Sequence, residues 1–216
     1  MTEMMDFTEA IKTGLNYFGI SYTDEILKRL TVYADLILEF NRSLNLVSKT
    51  DPKHEIVKQI IDSSALIKYV EIKPNSTLLD LGSGGGFPGM VIKILRPDVG
   101  LFSLDASPKK VLFQEQVAGK LGLNRCEFIA KTLDEYEPRG GVDLVTTKAL
   151  GKFKRVLAFA SRFLKIDGRA VFYIGGKIPG AFDGTERKGL VRETVIGYYL
   201  PAYPGKYQLV ILKKIK

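Results

Sequence analysis

The chain has 216 residues, the length of one domain with room for an extension. Hydrophobic residues make up 45% and charged residues 26%, which excludes wholesale disorder, and no apolar run is long enough for a transmembrane helix. The 32 basic residues outnumber the 24 acidic ones for a net charge of +8, which favours a polyanionic partner through phosphate contacts.

Other function classes fall on residue counts. The first residues carry Glu3 and Asp6 where a signal peptide would carry a basic segment, so a cytoplasmic protein is expected. One cysteine, Cys126, excludes an internal disulfide and a cysteine-based zinc site. One histidine, His54, excludes a multi-histidine metal site, and no metal is expected. It also leaves a Ser-His-Asp or Cys-His mechanism a single candidate base. His54 itself reads as a surface residue early on a helix, and Cys126 as a buried structural thiol at the start of a strand.

In chain order, residues 1–74 read as a helical cap. Ile26, Leu30, Tyr33, Ile37 and Phe40 recur at three- and four-residue spacing and paint one stripe on a helix. Ser21 and Asp24 stand at capping-box spacing just ahead of it. Residues 41–48 read as a polar loop, and a second helix is expected to start after Asp51 with Pro52 in its first turn. From residue 76 the pattern changes. Strands are predicted at 77–81, 101–104, 127–130, 142–146 and 170–174, with helices at 90–95, 111–121 and 156–164 between them. This alternation implies a parallel sheet covered by helices on both faces. Residues 191–199 and 207–212 are β-rich and joined by the short stretch 201–205, so they are expected to form an antiparallel hairpin. The expected fold is α/β, with a Rossmann-like seven-stranded sheet over 75–216, closed by that hairpin and preceded by the helical extension.

The chemistry concentrates at Asp80-Leu81-Gly82-Ser83-Gly84-Gly85-Gly86-Phe87-Pro88-Gly89. A strand runs into a glycine-rich turn and then a helix, whose first amides could face a ligand. Gly84, Gly86 and Gly89 satisfy G-x-G-x-x-G, so spacing alone permits a dinucleotide such as NAD. Asp80 points elsewhere. A carboxylate two residues before the first glycine is a poor neighbour for a pyrophosphate and a good one for the amino group of a methionyl moiety. Asp105, ending the second strand, can accept hydrogen bonds from ribose hydroxyls. S-adenosyl-L-methionine needs both acids. A tight turn beside two strand-end acids, with no ligand, is the plainest alternative. Ser107 and Pro108 are expected to start the next helix. Thr132 and Leu133 follow the third strand, where the loop would border an adenine ring. Lys148 follows the fourth strand at the carboxyl edge, where ligands of such sheets bind.

Three stretches resemble the RsmG (GidB) family of bacterial methyltransferases, which modify N7 of a guanine in 16S ribosomal RNA. They are Asn45-Leu46-Val47-Ser48 with Ile61-Asp62-Ser63, the run from Asp80 to Gly89, and Asp105 followed by Lys109-Lys110-Val111-Leu112-Phe113. The resemblance covers residues 35–216. It implies the class I methyltransferase fold, with S-adenosylmethionine held by Asp80, Gly82, Ser83, Gly84, Gly86, Phe87, Asp105, Thr132 and Leu133. It implies 16S ribosomal RNA or the small ribosomal subunit as partner, with Asn45, Ser48 and Lys148 on the acceptor side.

The chain departs from the family where arginines stand after the third and fourth strands and at the last strand. It carries Thr132 (after Lys131), Lys148 and Lys206 there, and Gln59 where a histidine is expected. Lysine keeps the charge but not the planar fork. These departures motivate a second reading, a non-catalytic RNA- or nucleoside-binding paralogue. Guanine N7 carries a free lone pair and no proton, so its methylation needs no general base and suits a chain with one histidine.

Overall fold

A computed structural model describes residues 6–137, 140–148, 153–182 and 189–216. Ala149 and residues 183–188 of the glycine-rich stretch 175–189, for which the sequence suggests no regular structure, lie outside them. Three helices come first: α1 (Phe7–Phe18), α2 (Asp24–Leu44) and α3 (Pro52–Tyr69). The alternating part follows as β1 (Thr77–Leu81), α4 (Gly89–Leu95), β2 (Gly100–Asp105), α5 (Pro108–Lys120), β3 (Cys126–Ala130), β4 (Val142–Lys148), α6 (Phe153–Phe163) and β5 (Leu164–Gly175). It closes with β6 (Leu190–Leu200) and β7 (Tyr203–Lys214).

All seven strands form one sheet in the order β3-β2-β1-β4-β5-β7-β6. The first five pair in parallel. β7 inserts antiparallel between β5 and β6. The order in which strands are added to the sheet reverses between β1 and β4, which opens a crevice at their carboxyl ends. β6 and β7 are longer than the periodicity suggests. The turn is only Pro201-Ala202, with Ala202 at φ 65°, and β7 starts at Tyr203. Pro204 is tolerated because β5 pairs with β7 only as far as Tyr207.

Local chemistry sets the helix ends. Asp51 caps α3 by accepting from the His54 amide at 3.2 Å, with Pro52 in the first turn. For α2 the cap is Thr23, not Ser21, because the Thr23 hydroxyl is the one in reach of the Ile26 amide, at 3.3 Å. The expected loop at 41–48 is also shorter. α2 runs on to Leu44 and ends where Asn45 turns left-handed at φ 50°. The helix continues because Asn41 faces inward, and its side-chain oxygen accepts from the Leu46 and Val47 amides at 2.7 and 2.9 Å.

The cap helices are packed into the sheet's own core. Ile11, Leu30, Tyr33 and Ile60 share one apolar cluster with Leu78, Met90, Val171 and Leu209. On the opposite face Leu79, Leu81, Val145 and Phe172 pack with Val156 and Ala160 of α6. The strand residues alternate between the two clusters, as a pleated sheet buried on both faces requires. The cap therefore forms a wall beside the crevice. Cys126 is half-buried at the start of β3, more open than the sequence suggests.

Candidate active site

The crevice is built on the turn after β1. The Gly82 and Ser83 amides donate to the Leu104 carbonyl at 2.8 and 3.1 Å, tying the turn to β2. The Gly86 and Phe87 amides donate to the Ser83 carbonyl at 2.8 and 2.9 Å. Gly86 sits at φ 100°, and a Cβ there would meet Met90 Cγ at 2.6 Å and the Tyr33 hydroxyl at 2.7 Å, so only glycine fits. The Phe87–Pro88 peptide is cis. The Tyr33 hydroxyl donates to the Gly85 carbonyl at 2.7 Å, so α2 of the cap holds the turn directly.

The two acids take different roles. Asp105 is half-buried, and its oxygens accept from the Gly84 amide and the Ser107 amide, both at 2.8 Å. Each carboxylate oxygen keeps a further lone pair for another donor. The space over Gly84 is open: a Cβ there would meet no heavy atom within 4 Å. Asp80 is fully buried. Its Oδ2 accepts from the Gly89 amide at 2.8 Å, and its Oδ1 has no hydrogen-bond partner among the described residues. Burial pushes its carboxyl up to about 7, against the Gly89 hydrogen bond and the charge of Lys148, with Asp105 adding to the rise. An orphaned buried oxygen of this kind suits an incoming cation.

The amides at the start of α4 are not free, contrary to the sequence expectation. Gly89 donates to Asp80 and Met90 to the Gly86 carbonyl at 2.8 Å. A pyrophosphate needs such amides unpaired, so the geometry disfavours a dinucleotide.

Lys148 ends β4, next to β1, and lies inside the molecule. Its ammonium is 2.6 Å from Asp62 Oδ2 on α3 and donates to the Gln59 carbonyl at 3.4 Å. It also lies over the rings of Phe87 and Tyr173, at 6.0 and 5.4 Å from their centroids. Burial lowers its pKa, and Asp62 opposes that. Tyr198 on β6 donates to Asp62 Oδ1 at 2.6 Å, and the Tyr173 hydroxyl on β5 donates to the Ser63 carbonyl at 2.8 Å.

The other expected residues are more peripheral. Asn45 and Ser48 are exposed on the segment whose Leu46 packs against Gly85, 3.3 Å from the place a Cβ would take. Thr132 is exposed, and its amide and hydroxyl both donate to Glu135 Oε2, at 2.9 and 2.8 Å. Leu133 is half-buried against the α6 side of the core, and the adjacent Asp134 pairs with Arg155. The structure thus brings Asp80, the glycine turn, Asp105, Phe87 and Lys148 to one crevice and leaves Thr132 outside their hydrogen-bond network.

Sequence reasoning passed over Gln114. Fully buried on α5, it donates to the Ser83 hydroxyl and the Gly84 carbonyl, both at 2.9 Å, and accepts from the Ser103 hydroxyl at 2.6 Å. A polar residue on an apolar stripe, three after Val111 and four before Ala118, was its only signal.

Residues 26–189 match the family described as GidB, rRNA small subunit methyltransferase G. The chain is 30% identical to Ribosomal RNA small subunit methyltransferase G of Desulforamulus reducens, over 99% of this chain and 92% of the relative. It is 30% identical to the protein of that name in Acinetobacter baylyi, over 99% and 100%. Among solved structures it resembles the mitomycin 7-O-methyltransferase MmcR, with a TM-score of 0.62 and 15% identity over 96% of this chain and 66% of the other. It also resembles a putative rRNA-methylase from Clostridium thermocellum, with a TM-score of 0.53 and 17% identity over 71% and 93%. These two similarities establish the class I methyltransferase fold. Together, the family match across most of the chain and the near-complete overlap with its relatives show that the chain belongs to the GidB family of rRNA small subunit methyltransferases.

Proposed function

We propose that this chain uses S-adenosyl-L-methionine to methylate N7 of a guanine in 16S ribosomal RNA, as free RNA or within the small subunit, and works in the cytoplasm. One observation carries the cofactor half: the buried, unpartnered Oδ1 of Asp80 lies under the same glycine turn that Asp105 holds from β2. S-adenosylmethionine, when bound, supplies a methyl group activated on a sulfonium. Asp80 would receive its ammonium group and Asp105 its sugar hydroxyls, through lone pairs left over from the backbone. Gly82, Ser83, Gly84, Gly86 and Phe87 shape the turn, Gln114 holds it against β2, and Leu133 with Thr132 would border the adenine.

On the acceptor side, Asn45 and Ser48 are exposed beside the glycine turn. Lys148 acts there as a fixed positive charge, since Asp62 and two rings enclose its ammonium. Guanine N7 has no proton to lose, so the chain's task is orientation, worth about 7–11 kcal/mol at best. The net charge of +8 supplies attraction to RNA.

Calorimetry tests the site. Wild type is expected to bind S-adenosylmethionine and Asp105→Ala to lose most of that affinity; equal binding would refute the assignment. Deleting the gene and mapping 7-methylguanosine in 16S ribosomal RNA tests the substrate, and an unchanged profile refutes it. Subunits bound without methyl transfer would favour the non-catalytic paralogue.

A further inference from the structure

The carboxyl edge of the sheet does not stop at Lys148. It continues through β5 to β7, where Gly175 pairs with Tyr207. The β6–β7 turn stands at this end, and the first turn of α3 faces it. The Tyr203 hydroxyl donates to the His54 carbonyl at 2.9 Å, and the two rings meet edge-on with centroids 4.8 Å apart. A groove opens between them, lined by Ser48, His54, Lys58, Tyr203 and Tyr207. Ser48 belongs equally to the segment beside the glycine turn, so the groove is continuous with the proposed acceptor side.

Its lining has the character of a base-binding surface. The Tyr207 ring stacks on Tyr198, centroids 6.0 Å apart and planes at 29°, and Tyr198 is itself anchored to Asp62. The half-buried Tyr207 is therefore a rigid aromatic surface backed by the core. The groove's acids are engaged within α3: Asp51 caps the helix, and Glu55 binds Lys58 at 3.1 Å and Gln59 at 2.5 Å. Exposed Lys49 beside Ser48 leaves positive charge at the rim, whereas Lys206 on β7 lies over Gly197 on the other face of the hairpin. Single-stranded RNA is held by this combination of aromatic faces for bases and lysines for phosphates.

We propose that this groove is a nucleotide subsite for the substrate RNA, in which an unstacked base lies against Tyr207 and Tyr203 with its phosphate toward Lys49. The inference rests on the function proposed above and adds where the RNA strand passes.

The test uses small ribosomal subunits from a strain lacking this protein, with methyl transfer and subunit binding measured in parallel. Tyr207→Ala is expected to raise KM for the subunits by about five- to a hundredfold, the usual effect of losing one base stack. Its S-adenosylmethionine affinity stays at the wild-type value, while loss of the stack on Tyr198 lowers the melting temperature. Tyr207→Phe, which keeps the ring, restores KM. Lys49→Glu, an exposed change, also weakens subunit binding and flattens its salt dependence. The proposal is overturned if Tyr207→Ala and Lys49→Glu both leave KM and subunit affinity within about twofold of wild type, or if Tyr207→Phe is as impaired as Tyr207→Ala. A wild type that transfers no methyl group to the subunits refutes the functional reading instead, and the groove is then judged by subunit binding alone.

Discussion

Asp62 of α3 and Lys148 at the end of β4 form an ion pair inside the protein, Oδ2 to Nζ 2.6 Å, with side chains only 7% and 12% exposed. The pair joins the cap to the sheet next to the crevice, and Tyr198 completes it from β6. Burying two charges is costly, so such a pair stabilises little in total, but removing one partner strands the other.

Asp62→Ala should therefore destabilise the fold by about 3–5 kcal/mol, because the Lys148 ammonium and the Tyr198 hydroxyl both lose their partner. Adding Lys148→Met should recover much of that loss, giving a double variant far more stable than the sum of the two single changes predicts. Urea unfolding of the four proteins measures this, and simple additivity would contradict the coupling.

Asp80 makes the protein sensitive to pH near neutrality. Its carboxyl is raised from 3.8 to about 7, chiefly by burial. The folded state thus keeps a proton that the unfolded chain has lost, so this group's contribution makes stability fall as pH climbs from 3.8 through about 7. A cation at Oδ1 favours the ionised form, so affinity for S-adenosylmethionine should strengthen as pH rises toward 7, by about tenfold per unit at most. Asp80→Asn should bind more weakly and lose this slope. Calorimetry with wild type and variant on both sides of neutrality checks it, and an unchanged slope in Asp80→Asn would assign the pH dependence to another group.

Gly89 allows Asp80 to pack directly against the start of α4. A Cβ on it would lie 2.7 Å from Asp80 Oδ2, 2.9 Å from Asp80 Cβ and 3.0 Å from Leu101 Cδ1. Gly89→Ala should cost about 1–3 kcal/mol by overpacking, and should weaken S-adenosylmethionine binding by displacing the Asp80 carboxylate. Gly84→Ala meets no neighbour and serves as the contrast for the packing term, although its φ of 57° carries a strain of its own. Thermal melting and calorimetry on both variants separate the effects. A Gly89→Ala protein with wild-type affinity would show that the Asp80 position is not critical.

Much of this protein is legible along the chain, because periodicity and turn chemistry are local. The parallel strands, their helices, the closing hairpin, the Asp51-Pro52 start of α3 and the acids at the ends of β1 and β2 all follow from residues a few positions apart. Motif spacing sufficed to nominate the glycine turn. The errors were local competitions: Thr23 outcompeted Ser21 as a cap, and Asn41 kept α2 helical through a stretch of polar residues.

What only the tertiary structure decided depends on partners far apart in sequence. Asp80 could be placed beside a ligand from spacing, but its burial, its bond to Gly89 and its unpartnered oxygen depend on the glycine turn folding back over β1. Lys148 reads as a strand-end lysine open to RNA until α3 and β6 close over it, from positions 86 residues earlier and 50 later, counted to Asp62 and Tyr198. Gln114 and Tyr33 were hidden because a buried polar group is recognised by what it bonds, and their partners are 30 and 52 residues away. Local pattern specifies which segments fold and how; whether a charge in them faces solvent, a ligand or another charge is settled when distant segments exclude water together.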